Sequence, residues 1–244
     1  MRKGTGFGLL FIVSVLIGCT PLGENVVRKG NKESEGDRLT VASTSPDLRN
    51  EPMVDFSTRR IIRSYGSTVK KYAERYGFDW RLVLAVMKAE SRFSVKAQSE
   101  KGASGLMQIM PVTSQEVAEI LGIEDMAHPK NNIRGGVFYM KRLHNLFDGV
   151  EEPDRIKLTL AAYNAGIARI YDAQDLVAYF HEDPTKWASI KDALPYLSKR
   201  YYTLHRNIWP EQKPKAGWFG NSSQTVGYVE RIMDYYDEYR LVLN

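Results

Sequence analysis

The chain of 244 residues is 43% hydrophobic and 26% charged, which suits one domain of ordinary size with a real core. Its formal net charge of +5 shrinks once Arg2 and Lys3 are set aside with the leader, and no block of like charges makes a nucleic-acid arm, so no nucleic-acid partner is expected. A single cysteine excludes an intramolecular disulfide, and His128, His144, His181 and His205 fall in no zinc-binding spacing, so neither a metal nor another cofactor is expected.

Arg2 and Lys3 precede an apolar run from Phe7 to Ile17 that is too short to span a membrane comfortably. A positive segment followed by a short apolar one is the pattern of an export signal. The run ends in Leu16-Ile17-Gly18-Cys19, which resembles a bacterial lipobox: residues 1–18 would be the signal peptide and Cys19 the lipidated N-terminus. The plainer reading is an ordinary signal peptide with a chance cysteine. Several acyl chains on Cys19 would anchor the protein firmly to a membrane. Thr20 follows, where lipoproteins kept at the inner membrane often carry Asp, so the resemblance implies an outer-membrane lipoprotein facing the periplasm. Residues 19–55 are rich in Gly, Asn, Ser, Glu, Lys and Pro without an apolar period, and read as a flexible tether able to reach roughly 30–35 Å.

From residue 56 to 244 the signals are helical. Ile61, Ile62, Tyr65, Val69 and Tyr72 mark an amphipathic helix stopped at Gly77. Asp79 can cap the next, with Phe78 and Val83 placed as a hydrophobic staple. Thr113 and Glu116 have capping-box spacing for a helix toward Leu121. Asn132 can cap a helix carrying Val137, Phe138, Leu143 and Phe147. Asp154 precedes another that runs through Leu158 and Ala162 to Gly166. A further helix covers 167–180, and Ser222 or Ser223 can cap the last, which ends near Leu243. No run of alternating strands is long enough for a sheet, so the expected fold is mainly α, in a single domain.

Within the second helix, Glu90 lies on the line of Leu82, Val86 and Phe93, the apolar face. A carboxylate there loses hydration, so it is a misplaced residue, a buried paired acid or a working acid that keeps its proton. Three more segments stand out: Gly102-Ala103-Ser104-Gly105-Leu106-Met107-Gln108-Ile109-Met110-Pro111, Ala161-Ala162-Tyr163-Asn164-Ala165-Gly166, and Thr225-Val226-Gly227-Tyr228-Val229. Each has a plain reading alone: a glycine turn, a core tyrosine before a C-cap, a packing face.

Taken in order with Glu90-Ser91, the segments resemble the catalytic domain of the soluble-type (SLT) lytic transglycosylases, which share the goose-type lysozyme fold. The resemblance covers about residues 60–240. Tyr171-Asp172-Ala173 and Trp187-Ala188-Ser189-Ile190-Lys191 are similar to the branch known as membrane-bound lytic murein transglycosylase F. That branch has an N-terminal solute-binding-type domain, and the stretch ahead of residue 56 is too short for one, so none is expected here.

The resemblance implies a lysozyme-like helical domain acting on peptidoglycan glycan strands. Glu90 would be the catalytic acid and base. Ser99 and Gln108 would contact the muramyl residue and Met110 would line the glycan cleft. Tyr163, Asn164 and Tyr228 would border the carboxylate, and the two tyrosine hydroxyls could bond it without adding charge. The fourth motif commonly begins with Glu, and here Gln224 stands in that place. Ser91 is expected to be structural. Neither Glu100 nor Glu116 matches a family catalytic position, so one carboxylate is expected to do the work. The implied reaction cleaves the MurNAc–GlcNAc bond without water, leaving 1,6-anhydro-MurNAc ends. The alternatives are a goose-type-lysozyme-like hydrolase and a non-catalytic peptidoglycan-binding lipoprotein. Residues 207–221, with Trp209, Trp218 and Phe219, read as a packed irregular loop or a lid over sugar rings.

Overall fold

Residues 54–243 are described by a computed structural model; the leader, Cys19 and most of the tether lie outside them. Val54 is buried in the core and Asp55 caps the first helix through Thr58 N–H at 3.0 Å, so both pack with the domain ahead of residue 56. The helices are α1 (Phe56–Tyr76), α2 (Trp80–Ser91), α3 (Pro111–Leu121), α4 (Pro129–Asn145), α5 (Asp154–Ala165), α6 (Ile167–Tyr179), α7 (Trp187–Ala193), α8 (Tyr202–His205) and α9 (Ser222–Val242). Among the described residues there is no strand, only isolated bridges joining Ser104 to Gln98 and Ile109. The mainly α expectation holds.

Ile61 and Val69 of α1 are buried, and Gly77 ends that helix in the left-handed conformation. Asp79 caps α2 by accepting from Arg81 N–H at 2.9 Å, and Phe78 and Val83 both join the core. At the centre, α2 packs against α9 and α1, and α5 packs against α4, α6 and α9. Every residue from Leu82 to Met87 is buried, so α2 is sheathed on all sides except at its C-terminal end.

Three expected caps fall elsewhere. Helix α3 starts at Pro111, whose fixed φ suits the first helical position; Thr113 lies inside the helix, and Glu116 pairs with Arg142 at 2.7 Å. Helix α4 also starts at a proline, Pro129, which puts Asn132 inside the first turn. Helix α9 starts at Ser222 after Asn221, and neither serine makes a side-chain cap. Helices α7 and α8 have no counterpart in the periodic signals, being short and joined by 3-10 turns.

Candidate active site

Glu90 sits at the open C-terminal end of α2, one turn beyond the fully buried Val86. It is half-buried, open enough to meet a substrate. Burial raises its carboxyl from 4.5 to about 7, against a smaller lowering by Tyr228. The Tyr228 hydroxyl, carried on α9, donates to Glu90 Oε1 at 2.5 Å. At neutral pH the acid therefore carries its proton for a substantial fraction of the time, which an exposed glutamate would not.

The wall beside Glu90 is the loop 97–110, and the chain holds it with several polar contacts. Ser91 Oγ lies within hydrogen-bond distance of the Met87 carbonyl at 3.1 Å and the Leu106 carbonyl at 3.0 Å, fastening the loop to α2. Asn132, buried in α4, accepts from Met107 N–H at 2.8 Å and donates to the Ser104 carbonyl at 3.1 Å. Gly105 makes this possible: its φ is +78°, and a Cβ there would lie 2.5 Å from the Asn132 side chain. Gly136, one turn further along α4, lets Met107 approach, since a Cβ there would lie 2.5 Å from Met107 Cβ.

The expected site residues divide into groups. Tyr228 bonds Glu90. Tyr163 does not: its hydroxyl donates to the Met107 carbonyl at 2.8 Å, on the loop. Burial first, then the Glu90 charge, raises the Tyr163 hydroxyl well above its usual value, so it stays neutral. Asn164 Oδ1 accepts from Thr225 Oγ1 at 2.8 Å, tying the end of α5 to α9. Gln108 has φ +45° and gives its amide N–H groups to the Ala97 and Gly105 carbonyls at 3.1 and 2.9 Å. Ser99 is exposed and its hydroxyl accepts from Ala103 N–H at 3.0 Å. Met110 is 43% exposed at the end of the loop. Gln224 accepts from the Asn221 side chain at the start of α9.

Residues 67–186 match the family model described as "Transglycosylase SLT domain", a span that includes every expected site residue except Cys19 and Tyr228. Those residues are therefore an SLT transglycosylase domain. A membrane-bound lytic murein transglycosylase F from Desulfosudis oleivorans is 36% identical over 69% of this chain and 35% of its own length. One from Saccharophagus degradans is 35% identical over 69% of this chain and 31% of its own. The chain thus spans about a third of the length of the curated relatives it matches. The 70 kDa soluble lytic transglycosylase of Escherichia coli superposes with a TM-score of 0.54 over 76% of this chain and 25% of its own, at 23% identity, a likeness of fold.

Asn132 and Thr225 are polar groups to which the sequence assigns no role at the site, although Thr225 opens the last of the segments that stand out in it. Asn132 carried a visible signal, an asparagine beside a proline-led helix, but it is equally the signal of a cap. The loop 207–221 is packed: Trp209 is buried with its indole N–H on Asp175 at 3.0 Å, and the buried Asp172 accepts from Lys215 and Ala216 N–H at 3.0 and 2.8 Å. Phe219 lies under the Arg169 guanidinium at 5.1 Å. Only Trp218 of its aromatic residues stays notably open to solvent.

Proposed function

We propose that this protein is a peptidoglycan lytic transglycosylase in which Glu90 acts first as acid and then as base. Protonated Glu90 gives its proton to the glycosidic O4 of N-acetylglucosamine as the bond to C1 of N-acetylmuramic acid breaks. The muramyl N-acetyl oxygen stabilises the cationic carbon. The Glu90 carboxylate then takes the proton of the muramyl C6 hydroxyl, whose oxygen closes on C1. Proton and bonds balance, no water is consumed, and the product is a 1,6-anhydro ring. Ser99, Gln108 and Met110 contact the glycan, and Tyr163 and Asn164 shape the floor.

The observation that carries this reading is the Glu90–Tyr228 pair. A desolvated carboxyl near 7, held by a neutral hydroxyl, is equipped to donate and then recover a proton at the pH of a cell envelope. A two-carboxylate glycosidase would need a second acid at the site. Glu116 is committed to Arg142, and Glu100 is exposed in the turn closed by Gly102 N–H on the Ser99 carbonyl. Family membership and relatives named as lytic murein transglycosylases support the same reading. The membrane association in those relatives' names agrees with a Cys19 lipid anchor on the periplasmic side of the outer membrane.

Mass spectrometry of peptidoglycan digested by wild type and Glu90→Gln tests this. Anhydro-muropeptides, one water lighter than hydrolysed fragments, are expected from wild type alone. Reducing-end muramic acid as the only new product would assign the protein to the lysozyme-like hydrolases. Binding to the wall without cleavage would make it a structural lipoprotein.

A further inference from the structure

Four aromatic rings run in a row from the end of α6 across the 3-10 turns between α7 and α8. Between ring centroids, Tyr179 to Phe180 is 5.9 Å, Phe180 to Tyr196 is 5.5 Å and Tyr196 to Tyr201 is 4.8 Å. Tyr179, Phe180 and Tyr196 are exposed, as is Tyr202 on α8, and exposed rings gathered in one place mark a surface that meets something other than water. Lys199, Arg200 and Arg206 stand exposed among them, the Arg200 guanidinium over Tyr201 at 4.7 Å and that of Arg206 over Tyr202 at 5.2 Å. Among the described residues none of these three cations has an ion-pair partner, and residues 193–210 contain no acid. Glu182 and Asp192 line the hollow of about 880 Å³ that Phe180 and Tyr196 share with Val226 and Glu230 of α9.

We propose that this face of rings and cations lies on an anionic phospholipid surface, an interaction that rests on the Cys19 lipid-anchor reading above. Tyrosine suits a membrane boundary, where its ring is in apolar surroundings and its hydroxyl is wet, and lysine and arginine are drawn to anionic headgroups. The tether meets the domain at Asp55, near the C-terminal end of α9, where the Thr58 and Tyr239 hydroxyls are 3.0 Å apart. The face lies at the other end of α9, where Phe219 N–H donates to the Leu197 carbonyl at 3.1 Å. The 21 residues of α9 separate the two ends by about 30 Å, a span that the roughly 30–35 Å reach of residues 19–55 matches. Docking leaves Glu90 free. Tyr228 points from α9 to the acid, whereas Val226 and Glu230, two residues to either side, lie about 160° round the helix and line the hollow with Tyr196. The face and the acid are on opposite sides of α9, so a docked domain keeps its glycan site turned away from the lipid.

Hydrogen exchange of the full chain on phosphatidylglycerol vesicles, read by mass spectrometry, tests the face. Residues 196–206 are expected to exchange at least fivefold more slowly on these vesicles than in buffer, with α4 unchanged. No slowing is expected on phosphatidylcholine vesicles, or on the anionic ones for Lys199→Gln/Arg200→Gln/Arg206→Gln, whose fold is checked by circular dichroism. Unchanged exchange at 196–206 on the anionic vesicles, equal slowing on both lipids, or indifference to the triple substitution would overturn the proposal. So would slowing caused by isolated sacculi, which assigns the face to the wall, or by raising the protein concentration without lipid, which assigns it to a second copy. Acylation of Cys19 is read separately, from the mass of the protein extracted from its membrane, so a missing anchor and a face that does not dock give different results.

Discussion

The Tyr228 hydroxyl donates to Glu90 Oε1 at 2.5 Å across a sequence separation of 138 residues, and it joins the helix that carries the acid to the last helix of the domain. The bond favours the ionised carboxyl, opposing the larger effect of burial. Removing the hydroxyl in Tyr228→Phe should therefore push the Glu90 pKa further up. The alkaline limb of kcat/KM should move to higher pH, while kcat falls about tenfold as the carboxyl loses its fixed orientation. A pH–rate profile on purified sacculi checks both; an unmoved limb would show that the bond does not tune the acid.

Glu90 also ties stability to pH. Its folded-state pKa of about 7 stands above the ordinary value of 4.5, so the folded chain holds a proton that the unfolded chain releases between those values. Stability should thus fall as pH rises through 4.5 to 7, and the penalty should be complete above that window. Glu90→Gln removes the ionisation. We expect the variant to exceed wild type by about 1–3 kcal/mol at pH 8, a range set below the full shift because the side chain is partly open to solvent. The two should converge below pH 4.5. Urea unfolding at pH 4 and pH 8 measures the difference, and a constant offset at both would contradict it.

The loop beside the acid depends on Asn132. Truncation to Ala leaves the Met107 N–H and the Ser104 carbonyl without their partner, at about 1–3 kcal/mol. Gly105→Ala attacks the same place, pressing a Cβ against Asn132 at a backbone φ of +78°. Each variant should retain its helical circular dichroism yet lose much of its glycan cleavage, because the loop moves and the helices do not. Cleavage at the wild-type rate by a folded Gly105→Ala would remove the loop from the site.

These two residues also show what could be read in the sequence. The apolar line of Leu82, Val86 and Phe93 placed Glu90 in a desolvated position, because a helical period converts spacing directly into a shared face. The tether of Tyr228 to Glu90 was within reach of a resemblance. Asn132 was not, since an asparagine near a helix start serves equally as a cap or as an anchor to another segment, and only the fold brings the loop 104–107 to it. The starts of α3 and α4 went astray for a related reason: Pro111 and Pro129 supply a helix start through a fixed φ, without the side-chain bond of a capping box. Tyr163 shows the limit of placement by family pattern. It lies beside the acid, but its hydroxyl bonds the loop, which only the fold brings within its reach.

Asp172 governs the long loop that follows α8. The side chain is wholly buried on α6, and its carboxyl oxygens take the N–H groups of Lys215 and Ala216. Burial raises its pKa, and the two backbone bonds and Lys215 pull it back only in part. Asp172→Ala would leave two part-buried backbone donors without their acceptor, costing about 1 kcal/mol, and would free the segment around Lys215 and Ala216. Asp172→Asn keeps one acceptor oxygen and should cost less. Hydrogen exchange at residues 212–219 should quicken in the Ala variant ahead of global unfolding, with α2 and α9 still protected. Equal acceleration across the domain would mean that Asp172 supports the core as a whole and not this loop.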